Sequence, residues 1–271
     1  MDRLSRAGID VPGLEIRIVE RCTSTNAVLA CADDAHSAHP VLLAAEQQTA
    51  GRGRHGRRWR SARGAGATFS IRQSLNCGQS RLAGLSIAVG LSAARALRRL
   101  GARGVAVKWP NDLMCIDGTQ PARKVGGVLI ESVPVGQRRM AVIGAGLNIA
   151  PQPVVDVNTG FACLQEFVPE IDAPQALARI ARPWIEAVLQ FQRDGFAPFK
   201  ARFERRDCLR GRVITTTLDD LPSGVAEGVD NTGALQVRVG PSLRTVGVTM
   251  PRRSAFTRAR RSSAGAATAR R

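Results

Sequence analysis

Lysine is scarce in this chain: of 39 basic residues among 271, only Lys108, Lys124 and Lys200 are lysine and the rest are arginine. The formal net charge of +17 favours phosphate-rich partners, because basic surfaces release counterions from phosphate polymers whatever their sequence. Codon composition accounts equally well for an arginine bias, so charge alone does not select nucleic acid. Long apolar runs are missing too. Although 44% of the residues are hydrophobic, no stretch approaches the roughly 20 apolar residues of a membrane-spanning helix, and no membrane association is expected. The opening MDRLSRAGIDVPGLEIRIVE has neither an apolar core behind its charges nor a small-residue cleavage site. That excludes a secretory signal and makes a cytoplasmic location the expectation. The six cysteines, at 22, 31, 77, 115, 163 and 208, contain no Cys-x-x-Cys pair, and His36, His39 and His55 have no ligand spacing to them. Neither a disulfide framework nor a zinc site is indicated, and most of the thiols are expected to be buried and reduced.

The length suffices for one large domain, or a large and a small one, each with its own core. GLEIRIVE, VLLAAEQQ and ATFSIRQSL read as strands, with a short helix after the first, capped by Ser24, Thr25 or Asn26. Residues 80–100 form the clearest helix, with a serine available as cap and Gly101 as stop. In VAVKWPNDLMCIDGTQ, Pro110-Asn111-Asp112 interrupts one strand and Asp117-Gly118 marks a turn. KVGGVLIESV and RRMAVIGAGLNI read as a hairpin. Segments 174–193 and 196–207 are helical. From about Leu209 four short β-runs separated by Gly, Pro and Asn predict a small barrel-like domain, and the arginine-rich end beyond Met250 reads as a disordered tail.

Four segments concentrate polar chemistry against this apolar background. AGRGRHGRRW, residues 50–59, carries glycines, arginines and a tryptophan without an acid. Glycine lets a backbone approach a ligand closely, and the arginine fork suits phosphate or carboxylate oxygens. A solvated basic loop, an RGG-like RNA-binding segment and a phosphate-cradling loop all fit it. KWPNDL (108–113) places a cation, an aromatic and two polar side chains around a proline-fixed turn, where they either face a cleft or merely satisfy the turn. KVGGVLIE (124–131) sets a lysine beside two glycines at the mouth of an apolar strand. GAGLNI (144–149) does the same with Asn148, although a glycine in a strand is more often a bulge or a close packing point.

Taken together, S-T-N at 24–26, Q-T-A-G-R-G-R-x-G-R-x-W at 48–59, K-W-P-N-D at 108–112, K-V-G-G-V-L-I-E at 124–131 and G-A-G-L-N at 144–148 resemble the biotin protein ligase family in order and approximate spacing. The likeness covers roughly residues 15 to 250. It implies an α/β (α+β) fold: a mixed sheet with packed helices as the catalytic domain, 15–208, followed by a small SH3-like β-barrel domain, 209–250. An amino-terminal extension, 1–14, and the basic tail, 251–271, complete the expected organisation. Ser24, Thr25 and Gln48 match positions that hydrogen-bond the biotin head group, and hydroxyls plus an amide suit a neutral ureido ring. Gly51, Arg52 and Arg54 match the loop that closes over the biotin carboxylate and the nucleotide phosphate, with Arg57 in the same ATP-binding set. Trp59 resembles the aromatic that helps build the adenine site. Lys124 matches the lysine beside the carboxylate and α-phosphate, and Gly127 permits close approach to biotin. Asn111 and Asp112 lie at the reacting end, and Asn148 is similar to a residue near the nucleotide.

The implied reaction joins biotin to a lysine of a biotin carboxyl carrier protein or domain, that of acetyl-CoA carboxylase or a related acyl-CoA carboxylase, through biotinyl-5′-AMP. ATP and biotin are the substrates, with Mg2+ among the charge stabilisers and its ligands unassigned. The resemblance makes Lys124, Arg54 and Asp112 the catalytic set, Asp112 accepting or orienting the acceptor amine's proton. The loop glycines would permit closure on ligand and loosening without it. Too few residues precede Glu15 for the winged helix-turn-helix of many bacterial relatives, so no operator-specific DNA binding is expected, and the protein is expected to be a monomer or homodimer. A lipoate or octanoate ligase or transferase of the same superfamily, and a basic RNA-binding module, are the alternatives.

Overall fold

The computed structural model describes residues 11–31, 39–60, 62–76, 82, 84–118, 121–135, 138–153 and 160–247. The amino-terminal extension up to residue 10 and the tail beyond 247 lie outside the described residues. The chain begins with β1 (Glu15–Cys22), a short helix α1 (Thr25–Ala30), β2 (Val41–Gln48) and β3 (Gly66–Leu75). Helix α2 (Leu85–Arg99) leads to β4 (Val105–Lys108) and β5 (Asp112–Cys115), and then to the long hairpin of β6 (Arg123–Val135) and β7 (Arg138–Asn148). Helices α3 (Ala173–Asp194) and α4 (Ala197–Glu204) follow, then β8 (Val213–Leu218), β9 (Leu221–Val229), β10 (Leu235–Val239) and β11 (Ser242–Val246).

The first seven strands form one mixed sheet in the order β1-β2-β3-β7-β6-β5-β4. Only β1 and β2 run parallel within it. The parallel pair needs a crossover, and α1 with the residues after it supplies that connection. Both faces of the sheet are covered at β2, which explains why its first five residues, 41–45, are all apolar and buried. Leu42 and Ala44 face the main core beneath α2 and α3, whereas Val41 and Leu43 face a smaller cluster with Leu29 and Ala30 of α1. The four carboxy-terminal strands form an antiparallel meander, β11-β10-β9-β8. Its apolar side gathers Leu221, Ala226, Leu235 and Val237. Ahead of it, residues 206–208 lie along the free edge of β4 through Val107 N–H to Arg206 O (2.9 Å) and Cys208 N–H to Val107 O (3.1 Å). An exposed sheet edge is thereby covered. No described helix is long and apolar enough to cross a membrane.

Two local readings are corrected. Residues 105–115 are two strands and not one interrupted strand: Lys108 pairs with Asp112 and Val105 with Cys115, so Trp109-Pro110-Asn111 is the turn of a hairpin. The long helix starts at Leu85 after Gly84, whose φ is 83°. A Cβ on Gly84 would lie 2.6 Å from Thr232 O and 3.0 Å from the Phe196 ring, so close packing sets the boundary. Ser80 lies outside the described residues. Of the described cysteines, Cys115, Cys163 and Cys208 are buried, Cys22 is half-buried and Cys31 is exposed, all as free thiols. Burial pushes the Cys208 thiol up to about 11.

Candidate active site

The first turn of α1 and the end of β2 meet at Gln48. Its Oε1 accepts from Thr25 N–H at 2.7 Å and from Thr25 Oγ1 at 3.1 Å. Ser70 Oγ on β3 lies 2.7 Å from Thr25 Oγ1 and 2.6 Å from Asn26 Oδ1, with one proton to share between them. Asn26 Nδ2 in turn donates to Leu129 O (3.3 Å) and to the Glu131 carboxylate (3.0 Å) on β6. Thr25, Asn26, Ser70 and Glu131 are all buried. Burying so many polar atoms is tolerable because each is paired, and the pairing fixes the orientation of the Gln48 and Thr25 groups. Ser24 occupies the helix cap position without a side-chain bond to the helix. It lines an open cleft of about 370 Å³ with Thr23, Ala27, Ala50, Gly51, Arg52, Arg57 and Arg58.

The arginine-glycine segment is a small hairpin of its own. Trp59 N–H donates to Gly51 O (2.9 Å), Gly53 N–H donates to Arg57 O (2.7 Å), and Arg52 bridges Arg58 in antiparallel fashion. A one-turn 3-10 helix, Arg54–Gly56, forms the tip, with His55 at φ 55°. Thus the segment is internally hydrogen-bonded. The glycines of β7 explain where it is anchored. A Cβ on Gly146 would overlap the Trp59 indole, and one on Gly144 would overlap Asn26 Oδ1. GAG is therefore a pair of close packing points on the cleft side of the sheet, one under the loop and one under α1. Trp59 Nε1 is buried and has no hydrogen-bond partner among the described residues.

The second half of the site gathers at the β4–β5 turn. Lys124 Nζ lies 2.7 Å from Asp112 Oδ1. Arg54 Nη1 donates to Asn111 Oδ1 at 3.3 Å, and Asn111 Nδ2 donates to Val128 O at 3.0 Å. Burial holds the Arg54 guanidinium below its ordinary range; the Asp112 carboxylate pulls it back up and Arg57 opposes that. The guanidinium remains charged, since arginine does not lose its proton in proteins. A Cβ on Gly127 would lie 3.2 Å from Asp112 Oδ1 and 3.5 Å from Lys124 Nζ, so the bare backbone there leaves the ion pair its space. Arg52 reaches Glu131 only at 3.9 Å, from a largely exposed position. Asn148 uses its amide protons on Lys124 O (3.1 Å) and Ala162 O (3.0 Å), which ties the ends of β6 and β7 to the following loop.

The residues singled out in the sequence thus form two groups. Ser24, Gly51, Arg52 and Arg57 line the cleft, with the hydrogen-bonded Thr25–Gln48 floor next to Gly51, whereas Arg54, Asn111, Asp112, Lys124 and Gly127 form a charged corner. Strand β6 joins them, its residues 127–131 touching both. Sequence reasoning missed Ser70 and Glu131 as parts of the floor and left Asn26 out of it. For Ser70 the one signal is a polar residue between two apolar ones in a strand, for Glu131 an acid directly after an apolar run in a strand, and Asn26 stands in the first turn of α1. Trp109 does not line the cleft and packs on both the main and the carboxy-terminal cores. No cluster of three metal-ligating side chains occurs among the described residues.

Comparison with known proteins agrees with this architecture. The profile of the Biotin/lipoate A/B protein ligase family matches residues 19–148. A bifunctional ligase/repressor BirA of Escherichia coli is 38% identical over 195 residues, 70% of this chain and 59% of that protein. The chain therefore spans somewhat over half the length of that relative. A biotin--[acetyl-CoA-carboxylase] ligase of Paracoccus denitrificans is 32% identical over 251 residues, 84% of this chain and 96% of the relative. The solved structure of the biotin protein ligase from Aquifex aeolicus in complex with biotin and ATP superposes with a TM-score of 0.71 at 24% identity, covering 86% of this chain and 95% of that one. That likeness establishes the shared fold.

Proposed function

The chain belongs to the biotin/lipoate A/B protein ligase family, and on that premise we propose that it uses ATP to attach biotin to a lysine of a carboxyl carrier protein. The observation that carries this reading is the pairing of a hydrogen-bonding floor, Thr25 and Gln48, with a cationic corner, Lys124 and Arg54, on adjoining strands. A neutral head group and an anionic tail would be held at the two ends of one cleft. Ser24, Thr25 and Gln48 would take the ureido ring; Gly51, Arg52 and Gly127 would line the path to the carboxylate. Arg54, Arg57, Asn111, Asn148 and Trp59 would face the nucleotide.

In the first half-reaction a biotin carboxylate oxygen bonds to the α-phosphorus of ATP as the bond to the β-phosphate oxygen breaks, leaving biotinyl-5′-AMP and pyrophosphate. Two anions must approach, so Lys124 and Arg54 act by stabilising charge that grows on the α-phosphoryl oxygens. Magnesium would arrive with ATP, held by its phosphates and at most one or two carboxylates, of which Asp112 is at the corner. In the second half-reaction the acceptor amine attacks the acyl carbon, AMP leaves, and the amine's surplus proton passes outward, with Asp112 placed to orient or accept it. The acceptor is the carrier domain of acetyl-CoA carboxylase or a related carboxylase, and the enzyme works in the cytoplasm. Residues 15–208 would form the catalytic unit and 209–250 the small accessory one.

The test is pyrophosphate release from magnesium ATP with biotin, lipoate or octanoate supplied separately. Release with biotin alone is expected. Release with lipoate or octanoate but not biotin would overturn the assignment of the pocket. Inactivity with all three, accompanied by RNA binding that collapses between low and moderate salt, would favour the phosphate-polymer reading.

A further inference from the structure

The turn that carries Asn111 and Asp112 is held from two directions by groups outside the cleft. From α2, Ser86 Oγ donates to Pro110 O at 2.9 Å. From the carboxy-terminal meander, Gly233 O accepts the indole N–H of Trp109 at 3.0 Å. The second contact is built with care for geometry. Gly233 has φ 87°, and a Cβ on it would lie 2.7 Å from Gly84 Cα, so the β9–β10 turn interlocks with the start of α2. The turn is also stiffened from within: Asp230 Oδ1 accepts from Thr232 N–H (2.8 Å), Thr232 Oγ1 (2.7 Å) and Ala234 N–H (3.0 Å). Burial pushes the Asp230 carboxyl up, but these bonds outweigh it and hold it below its ordinary range. Trp109 itself packs on the main core and on the meander's core together.

We propose that the carboxy-terminal sheet positions the reacting corner: Gly233 O, through Trp109, fixes the turn that aims Asn111 at Arg54 and Asp112 at Lys124. Trp109 is a positioning residue here, because its indole bonds Gly233 O and packs on the two cores without lining the cleft, and it acts only through Asn111 and Asp112, two and three positions further on. A rigid turn matters because misplacing a reacting group by about 1 Å can cost on the order of 100-fold in rate. The inference rests on the ligase reading for its kinetic consequence, though not for its structural one.

Two variants test it in the full chain. Trp109→Phe keeps a ring and removes the donor; Gly233→Ala leaves Trp109 intact and forces the β9–β10 turn away from Gly84. Both are expected to slow single-turnover formation of biotinyl-AMP by between about 10- and 100-fold. Biotin affinity measured without ATP should fall much less than the adenylation rate, because Ser24, Thr25 and Gln48, which would take the ureido ring, lie on other elements. Unchanged rates in both variants would refute the proposal, as would a loss of biotin affinity that merely tracks a lowered unfolding midpoint. A readout independent of catalysis is the side-chain amide signal of Asn111, assigned by its disappearance in Asn111→Asp. Its protons should exchange faster with solvent in both variants, and an unmoved signal would overturn the proposal even if the wild-type chain proved inactive with biotin. That inactivity, with the Asn111 signal shifted as expected, would count against the ligase reading alone.

Discussion

Arg54 and Lys124 reach the Asn111–Asp112 corner from two different elements, one from the arginine-glycine loop and one from β6. A charge delivered by a half-buried arginine is worth more than the same charge in water, since fewer solvent dipoles screen it. Arg54→Ala should therefore slow adenylate formation by about 2–4 kcal/mol of transition-state stabilisation. Rapid-quench measurement of biotinyl-AMP checks this, and a wild-type rate would remove Arg54 from the first step. A second residue prediction concerns stability. Asp207 Oδ2 is buried without a partner among the described residues, while Oδ1 accepts from Leu209 N–H at 2.9 Å. Burial raises its carboxyl above the ordinary aspartate range, against the pull of the Leu209 bond and Arg210. A carboxyl with a raised folded-state pKa binds its proton more tightly in the folded chain. Its contribution to stability is then best below the unfolded value and is lost as pH climbs to the folded one. Asp207→Asn should thus unfold about 1 kcal/mol less readily at neutral pH. The gain should vanish in melts at acid pH, where the wild-type side chain is already neutral.

At the scale of elements, the loop and β7 act as a unit because Trp59 lies flat over Gly146. Gly146→Ala places a methyl where the indole sits, so the small hairpin of residues 51–59 must lift. We expect that variant to weaken both biotin and ATP binding by calorimetry while retaining the sheet's circular dichroism. Intact affinity for both would show that the loop is held by its own hydrogen bonds alone. These elements were mostly legible in advance. Period-two and period-3.6 patterns located the strands and helices because each element buries one stripe or two faces in a continuous core. The β4–β5 hairpin was not, since three turn residues between four-residue strands look the same as a kink in one strand. Nor was the role of Gly144 and Gly146, because a glycine announces that something comes close without naming what. Ser70 and Glu131 were hidden for the converse reason: a polar residue in a strand reads as facing solvent until its buried partners are known.

For the whole molecule, charge is the feature that packing does not relieve. Burial, and then Arg98, Arg205 and Arg95, depress the Arg206 guanidinium, and Arg99 and Arg202 add to the burial that depresses Arg95. These residues lie on α2 and at the end of α4, on the face of the sheet opposite α1. Raising ionic strength from about 0.01 M to 0.15 M shortens the screening length from about 30 Å to 8 Å. The unfolding midpoint should rise over that range, and a flat or falling midpoint in scanning calorimetry would show that this repulsion is already compensated.

The sequence by itself determined the family, the order of most elements and the residue types that gather at Gln48 and at the Asn111–Asp112 turn, since spacing along a chain is enough to specify a motif and a hydrophobic period. Only the tertiary structure decided which of those residues touch. Gln48 faces Thr25, Asn26 reaches Glu131 across 105 positions, and Trp109 meets Gly233 across 124. Such contacts depend on how sheet, helix and turn pack at van der Waals distance, and no local pattern encodes a partner so far along the chain.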